Sequence, residues 1–440
     1  MSSPNDNSPI SAESAESKKF PKKACVALLL AVALIIGGYF LWRSIASLGE
    51  MRVAAAGGAH TVVIADDGSL WAWGRNNWGE LGDGTTRART RPVQISADTD
   101  WVSVAVGHAH NIAIRADGSL WGWGWNHKGQ LGDGTTSNRT RPIQIGSDTD
   151  WARVAAGENS TFAIKEDGSL WAWGANYWGP LGDGTYGWCL GGGLARPHYR
   201  SPDASPYLTT PMQFGADTDW ADVAVARWHA VAIRTDGTLW AWGENSAGWT
   251  LPLGRSVGTW VASNTPVQIG TDADWASVSA SQAITLVIKT DGSLWAFGGQ
   301  LPPDHSVETD ISAPRQIGTD TEWAVAVAGH YHHAAIAVDG SLWTWGRTNH
   351  AGRLGDGSSH DTSGRNVPAQ VGTAASWTSA AVSNSHTVAI RDDGSLWSAG
   401  LTELIGRGFV FSDFNRLQRV PARLLWHRAD DSSAAYYRAD

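Results

Sequence analysis

Stretches in which apolar and polar residues alternate recur along most of the chain. In one copy, residues 101–107 alternate and end in Gly107, and residues 110–115 alternate again. Asp117 and Gly118 give a two-residue hairpin signal before a third strand at 119–125. A turn-rich loop then leads to a fourth strand, where Pro142 fits a strand start or a sheet edge because it lacks an amide donor. This pattern predicts four short strands in about fifty residues, the size of one propeller blade.

The third strand belongs to a motif that occurs seven times. The copies are Asp67 to Gly74, Asp117 to Gly124, Asp167 to Gly174, Asp236 to Gly243, Asp291 to Gly298, Asp339 to Gly346 and Asp393 to Gly400. Their starts are separated by 50, 50, 69, 55, 48 and 54 residues. A period of this length indicates a propeller or a solenoid.

The third strand is apolar on both faces, with Trp121 and Trp123 on one side and Leu120 and the small Gly122 on the other. Such a strand must be covered on both faces. The end repeats of a solenoid need a polar outer face, but the first repeat here is as apolar as the middle ones. A closed ring is therefore favoured over a solenoid. The prediction is an all-β, seven-bladed β-propeller of four-stranded blades over residues 51–427, followed by a C-terminal tail at 428–440. The first tryptophan of each of the first six motifs is expected to be largely buried between adjacent sheets: Trp71, Trp121, Trp171, Trp240, Trp295 and Trp343.

Closure of the ring is expected to involve its last strand. In interior repeats a short acidic turn, such as Asp98 to Asp100, joins the proline-containing strand to the next alternating strand, which suggests that the two strands are neighbours in one sheet. The last such strand, 417–424, has no successor, and the strand at 52–56 has no predecessor. We therefore expect these two segments to pair antiparallel and so remove an open sheet edge.

The first fifty residues differ from the repeats. Residues 1–23 are expected to form a disordered cytoplasmic tail, and residues 24–42 carry no charge, long enough for one transmembrane α-helix. Four lysines precede this run and one arginine follows it, which predicts a single-pass protein of the plasma (inner) membrane with a cytoplasmic N-terminus and an extracytoplasmic propeller. A cleaved signal peptide is the alternative.

The composition restricts the partners. The formal net charge is −9, so a phosphate backbone is a poor partner and no nucleic acid is expected. The only cysteines, Cys25 and Cys189, lie far apart in the sequence and do not establish a redox compartment.

No residue pattern favours catalysis, a metal or a cofactor. Five motifs carry a histidine seven residues before their Asp, namely His60, His110, His229, His332 and His386. Equivalent positions in different blades lie on a circle and do not converge on one ion, so these side chains are interpreted as strand-start residues bonding to a neighbouring loop. Acidic turns such as Asp98 to Asp100 lack the spaced ligands of a calcium loop and are interpreted as turn-closing side chains. The densest histidine cluster, 330–333, is a weak metal candidate, and the chain is predicted not to be an enzyme.

Long insertions are the better candidates for a binding site. Between Gly184 and Pro211 the third repeat is 19 residues longer than the second, and the fourth and fifth repeats are also rebuilt after their third strand. Aromatic and arginine side chains commonly anchor protein interfaces. The candidate partner-binding residues are Tyr186, Trp188, Arg196, Tyr199, Tyr207, Trp249 and Trp260.

The repeats share the pattern Gly-x-x-His, then Asp-Gly-x-Leu-Trp-x-Trp-Gly-x-Asn-x-x-Gly-x-Leu-Gly-Asp-Gly, then Pro. This pattern resembles the repeat of the regulator of chromosome condensation family, in a bacterial-type, membrane-anchored form. The resemblance covers Met51 to about Leu425 and weakens in the fifth and seventh copies. It implies a seven-bladed propeller and, from the nuclear members, guanine-nucleotide exchange on a small GTPase. The leading hypothesis is a membrane-anchored, non-catalytic scaffold for an unknown protein partner. Exchange activity and carbohydrate binding through loop aromatics are the alternatives.

Overall fold

Each repeat folds into one antiparallel four-stranded sheet, because the Asp-Gly hairpin turns the second strand back along the third. The computed structural model describes residues 51–176, 181, 207–243, 263–282, 284–298, 314–320, 322–358, 364–401 and 415–420. Within these residues there are seven sheets, and neighbouring sheets in the sequence contact one another around a central axis. The predicted seven-bladed propeller is therefore confirmed.

The strands are numbered in chain order, four to a blade. The innermost strands are β1 (Met51–Ala56), β5 (Trp101–Val106), β9 (Trp151–Ala156), β13 (Trp220–Val225), β17 (Trp275–Ala280), β21 (Trp323–Val327) and β25 (Trp377–Val382). The second strands are β2 (His60–Ala65), β6 (His110–Arg115), β10 (Ser160–Lys165), β14 (His229–Arg234), β18 (Thr285–Lys289), β22 (His332–Ala337) and β26 (His386–Arg391). The third strands are β3 (Leu70–Gly74), β7 (Leu120–Gly124), β11 (Leu170–Ala175), β15 (Leu239–Gly243), β19 (Leu294–Phe297), β23 (Ser341–Gly346) and β27 (Leu396–Gly400). The outermost strands are β4 (Arg89–Ser96), β8 (Arg139–Gln144), β12 (Tyr207–Gln213), β16 (Ser263–Gln268), β20 (Arg315–Gln316), β24 (Arg365–Ala375) and β28 (Gln418–Arg419). A short 3₁₀ helix spans His350–Gly352.

The hydrophobic core is divided among the blade interfaces. Between the first and second blades, Val62 and Leu81 of one sheet pack with Trp101 and Trp123 of the next. Equivalent clusters fill the other six interfaces. Each sheet is thus covered on both faces, as its doubly apolar third strand requires.

The two tryptophans of the motif are buried to different extents. The expectation is confirmed for Trp71; the other five first tryptophans, among them Trp121, are partly buried and pack against the cores of the blade interfaces. The Trp121 indole N–H donates to Ser119 Oγ at the hairpin (2.9 Å), and the Arg115 guanidinium lies over its ring. The second tryptophan is the core residue: Trp123 is 0% exposed and donates to the carbonyl of Glu80 in the preceding blade at 3.1 Å.

The predicted pairing of residues 417–424 with 52–56 is wrong. β28 pairs with β27 at the outer edge of the seventh blade, and β1 pairs with β2 in the first blade. The expectation failed because the acidic turn at 98–100 joins the outermost strand of one blade to the innermost strand of the next, and these strands lie in different sheets. The ring closes as every other interface does, with Met51 N donating to the Gly394 carbonyl at 2.8 Å and Met51 packing near Val388.

The acidic turn also explains why the second residue of the Asp-Gly hairpin must be glycine. Gly68 has a φ of +82°, and a Cβ added there would lie 2.0 Å from the carbonyl oxygen of Thr99. Only glycine tolerates both conditions without strain. The same contact recurs between Gly118 and Thr149.

The predicted segments 1–23, 24–42 and 428–440 lie outside the described residues. Within the described ranges, no helix has the length and apolar character needed to cross a membrane.

We predict that Trp123→Ala lowers the free energy of unfolding by about 3–5 kcal/mol, because it removes a fully buried indole and leaves a cavity between two blades. Trp121→Ala should cost less, since its ring is partly exposed. Denaturant unfolding of both variants measures the difference, with Trp78→Ala, whose side chain is 40% exposed, as the control. A Trp123→Ala protein that unfolds with the parent would contradict this assignment of the core.

Candidate functional site

The two ends of the propeller differ in chemistry. The loops after the first and third strands of each blade emerge at one end, here called the loop face, and include residues 57–59 and 75–88. The Asp-Gly hairpins and the acidic turns, such as 66–69 and 97–100, form the opposite hairpin face.

On the hairpin face, a cation of the second strand pairs with carboxylates of the preceding turn in four of the blades. Arg115 lies 4.4 Å from the ring centre of Trp101 and 4.0 Å from that of Trp121, and it pairs with Asp98 and Asp100 of the preceding turn. Three further blades repeat this arrangement around Lys165, Arg234 and Lys289.

For Lys165, burial opposes the charge, but bonds to Asp148 and Asp150 outweigh it and raise its pKa. The acidic turns therefore hold a cation of the chain itself. Among the described residues, no group of three or more His, Cys, Asp or Glu side chains could hold a metal ion.

The five equivalent histidines connect neighbouring blades. His60 Nε2 lies 2.8 Å from Asn111 Oδ1, and His110 Nε2 lies 3.0 Å from Thr161 Oγ1. The same contact joins His229 to Thr285 (3.4 Å) and His332 to Thr387 (2.7 Å). His386 and Thr61 close the ring at 2.6 Å. The partner is a strand residue of the next blade, so the expected bond to a loop was wrong.

The loop after the third strand is held by the following blade. The carbonyl of Glu80 accepts from Asn111 Nδ2 at 2.8 Å as well as from the Trp123 indole. Within the loop, Asn76 Oδ1 accepts from Leu81 N, and Asp83 accepts from Thr85 and pairs with Arg89. Asp83 therefore has a structural role in this loop.

Histidines 330, 332 and 333 do not converge. The His332 ring points to Thr387, whereas His333 Nδ1 accepts from Gly329 N at 3.3 Å and its ring lies beside Trp345. His330 lies at the central opening of the loop face.

That opening is a funnel with a cavity volume of about 120 Å³, open to solvent. It is lined by residues 56–58, 106–108, 156–158, 225–227, 280–282, 328–330 and 382–384. These are the ends of the innermost strands and the first residues of the loops that follow, so all seven blades contribute. Ala, Val and Gly form most of the wall, and the polar side chains stand at its rim.

At the rim, an ion pair and a hydrogen bond connect side chains of three blades. Glu158 Oε2 lies 3.0 Å from Arg227 Nε and accepts from Gln282 Nε2 at 3.0 Å. Burial raises the pKa of Glu158, and Arg227 opposes that shift. Burial lowers the pKa of His108 and of His330, and arginines around the rim lower both further.

An aromatic cluster, formed by Trp78, Trp125 and His127, lies on the same face. The ring centres of Trp78 and Trp125 are 6.2 Å apart, and His127 lies 5.6 and 5.8 Å from them. Trp78 and His127 are exposed and Trp125 is partly buried. The backbone N–H of Trp78 donates to the Glu80 carboxylate at 2.7 Å, and Glu80 pairs with Arg75.

Tyr207 is the only predicted partner-binding residue in the described part of the chain. It begins β12, is partly buried and pairs with Ala175 across the sheet. The candidates outside the described residues are Tyr186, Trp188, Arg196, Tyr199, Trp249 and Trp260. Sequence reasoning missed Trp78, whose signal was an aromatic residue in a turn-rich loop, outside the alternating strand pattern.

We predict that acidification weakens the propeller through the histidine ring. Burial lowers the pKa of His60 to about 4 and that of His110 to about 3, from 6.5 in an exposed chain. As the pH falls, the unfolded chain therefore takes up protons before the folded chain does. The contribution of these histidines to the free energy of unfolding is complete above pH 6.5 and is lost as the pH decreases towards their folded-state pKa values. For His60 alone the loss at the acid end is ~3 kcal/mol.

The free energy of unfolding should therefore fall between pH 7.5 and 5.5, before most carboxylates titrate. His110→Gln should reduce the slope by about one proton, whereas His127→Gln, at an exposed position, should leave it unchanged. Stability that is constant over this pH range would contradict the assignment of neutral buried histidines.

The repeats match a known family. The profile of the regulator of chromosome condensation (RCC1) repeat matches residues 67–114, 117–164 and 339–390, and a second profile of that repeat matches 53–79, 101–130 and 220–248.

Two solved structures share the fold. Yeast RCC1 (Prp20), crystallised with Kap60, is 18% identical with a TM-score of 0.63, over 78% of this chain and 82% of that chain. Human WBSCR16 is 18% identical with a TM-score of 0.64, over 78% of this chain and 86% of that chain. The chain therefore carries regulator of chromosome condensation repeats, and they fold as an RCC1-like propeller.

Proposed function

We propose that this chain is a non-catalytic scaffold that binds a protein partner on its loop face. The observation that carries the proposal is the exposed cluster of Trp78, Trp125 and His127. Aromatic side chains are enriched at the centres of protein interfaces, and an exposed aromatic group beside a polar rim is typical of a docking surface. On the hairpin face, by contrast, four of the repeated cations are already paired within the blade.

The long insertions support the same face. β11 ends at Ala175 and β12 begins at Tyr207, so both ends of the third-repeat insertion lie at the loop face. The insertions of the fourth and fifth repeats also lie between a third and a fourth strand. We therefore keep Tyr186, Trp188, Arg196 and Tyr199 among the proposed contacts.

Proteins with the same fold also bind proteins. Yeast RCC1 has been crystallised with Kap60 bound, and the binding of Prp20p to Gsp1p and histones accompanies its crystal structure. Guanine-nucleotide exchange is the alternative for this chain, but it requires a cytosolic propeller. The four lysines before residues 24–42 favour a membrane-anchored propeller of bacterial type, held outside the cytoplasm.

We predict that a photo-reactive amino acid placed at Trp78 forms a discrete adduct with one partner in cells, because this side chain lies in the proposed interface. The same group at Val338, which is 72% exposed on the hairpin face, is the matched control. Trp125→Ala should reduce the yield from position 78 without changing the melting temperature. Adducts that form equally from both positions would contradict a loop-face site, and a glycan adduct would favour carbohydrate binding.

We predict that a cysteine introduced at Ser385, in a chain whose Cys25 and Cys189 are replaced by serine, reacts with an impermeant reagent in intact cells. Ser385 lies on the loop face and is partly exposed. A cysteine placed at Ser3, in the predicted cytoplasmic tail, should react only after lysis. The reverse pattern would place the propeller in the cytoplasm and favour the exchange-factor alternative.

A further inference from the structure

We infer that the seventh blade carries a second binding site, on the hairpin face, which receives the paired carboxylates of an Asp-x-Asp segment from a partner protein. The inference goes beyond the proposed function and does not depend on it, because it concerns the opposite end of the propeller. It follows from comparing the seventh blade with the four blades whose hairpin-face cation is paired.

The first observation is that the seventh blade has the cation and both rings of the four paired sites. Arg391 ends β26 as Arg115 ends β6. The Arg391 guanidinium lies 4.6 Å from the ring centre of Trp377 and 4.2 Å from that of Trp397. The corresponding distances in the second blade are 4.4 and 4.0 Å. The two rings therefore hold the cation in the same place.

The second observation is that the two carboxylates are replaced. The turn before the second blade supplies Asp98 and Asp100, but the same positions before the seventh blade hold Ala374 and Ser376. Among the residues that the structure describes, no carboxylate oxygen lies within 4.0 Å of the Arg391 nitrogens. Its Nε is buried without a hydrogen-bond partner. A partly buried cation is thus left without the anion that its equivalents have.

The turn before the seventh blade keeps the backbone contacts of the paired turns. Asp392 N donates to the carbonyl of Ser376 at 2.8 Å, as Ala116 N donates to the carbonyl of Asp100 at 2.8 Å. Ala374 and Ser376 are both partly exposed. Because their side chains are shorter than aspartate, the space that the carboxylates fill in the second blade is open here. A carboxylate of another chain can lie there without movement of the backbone.

The third observation is a second cation beside the same ring. In the first six blades the first tryptophan of the motif lies opposite a glutamine of the outermost strand: Gln94, Gln144, Gln213, Gln268, Gln316 and Gln370. In the seventh blade the residue opposite Trp397 is Arg419, which is exposed. Hydrogen bonds from Ser395 are the main cause that lowers the pKa of Asp393, and Arg419 and Arg391 lower it further. Both arginines therefore lie near this hairpin.

The paired blades indicate which ligand fits. Carboxylates two residues apart in the chain lie 2.6 and 3.0 Å from Lys289, so an Asp-x-Asp segment has the required spacing. Elsewhere on this face carboxylates outnumber cations, as in the second blade, where Asp98, Asp100 and Asp117 accompany Arg115. A nucleic acid or an anionic bilayer would be repelled there. A short segment is affected mainly by the two arginines, because charges beyond about 8 Å are largely screened at physiological salt.

Fluorescence anisotropy of a dye-labelled Gly-Ser-Asp-Thr-Asp-Gly peptide, with the full chain in detergent micelles, tests the inference. The peptide should bind, with an affinity that decreases as salt is raised, and its Asn-Thr-Asn counterpart should not. Ala374→Asp combined with Ser376→Asp restores the sequence of the paired blades. The chain should then fill its own site, so that peptide affinity falls at least about tenfold while the melting temperature does not decrease. Arg419→Gln should weaken binding about fivefold, because one ion pair is worth about 1 kcal/mol at contact distance in water.

Ala97→Asp combined with Thr99→Asp is the matched control, because it adds the same two charges to an exposed turn of the same face, before the second blade. Arg391→Lys should still bind, since Lys165 takes the same place in the third blade. Equal binding of the amide peptide, undiminished binding by the first double variant, or an equal loss in the control would each overturn the inference. Binding of succinate without binding of the peptide would overturn a protein segment as the source.

Discussion

A sheet with apolar side chains on both faces is stable only where a neighbour covers each face, and this constraint accounts for the rest of the architecture. The third strand of every blade imposes it, since its Leu and the residue three positions later point to opposite sides; that residue is Trp in five blades, Phe297 in the fifth and Ala399 in the seventh. Nonpolar packing alone would allow the sheets to slide past each other. Directional bonds fix their position: Trp123 and Asn111 both donate to the carbonyl of Glu80, and the histidine of each of five blades bonds to a strand residue of the next.

The same constraint separates the roles of the two ends. At the hairpin face the turn must cross from the outer edge of one sheet to the inner edge of the next, and it does so over the hairpin glycine. The carboxylates of that turn and the cation of the second strand then compensate each other beside two indole rings. At the loop face the loops are tied at their base, through Asn76 and Asp83, but the loop of the first repeat carries the exposed ring of Trp78. The proposed partner-binding surface lies at this end.

Sequence reasoning was reliable where one local rule determined the outcome. Alternation, the Asp-Gly hairpin and the period predicted the number of blades and of strands in each. It failed for the path between blades, because a short turn does not reveal whether the strands that it joins lie in one sheet or in two. It did not show that Trp121 is less buried than Trp123, since alternation places both on the same face but does not reveal that a cation lies over the one near the hairpin. The funnel was not foreseen at all, because Glu158, Arg227 and Gln282 come from three repeats and have no common spacing.

The closing interface, at Met51 and Gly394, has the same construction as the six others, and among the described residues no strand is shared between the first and last blades. The unit that packs is consequently the same as the unit that repeats in the sequence. A duplication or loss of one whole repeat, arising by unequal recombination of the coding sequence, would add or remove a complete sheet and leave no strand without its partner. Propellers closed by an exchanged strand do not have this freedom at their seam, so blade number in this architecture is open to evolutionary change at every junction.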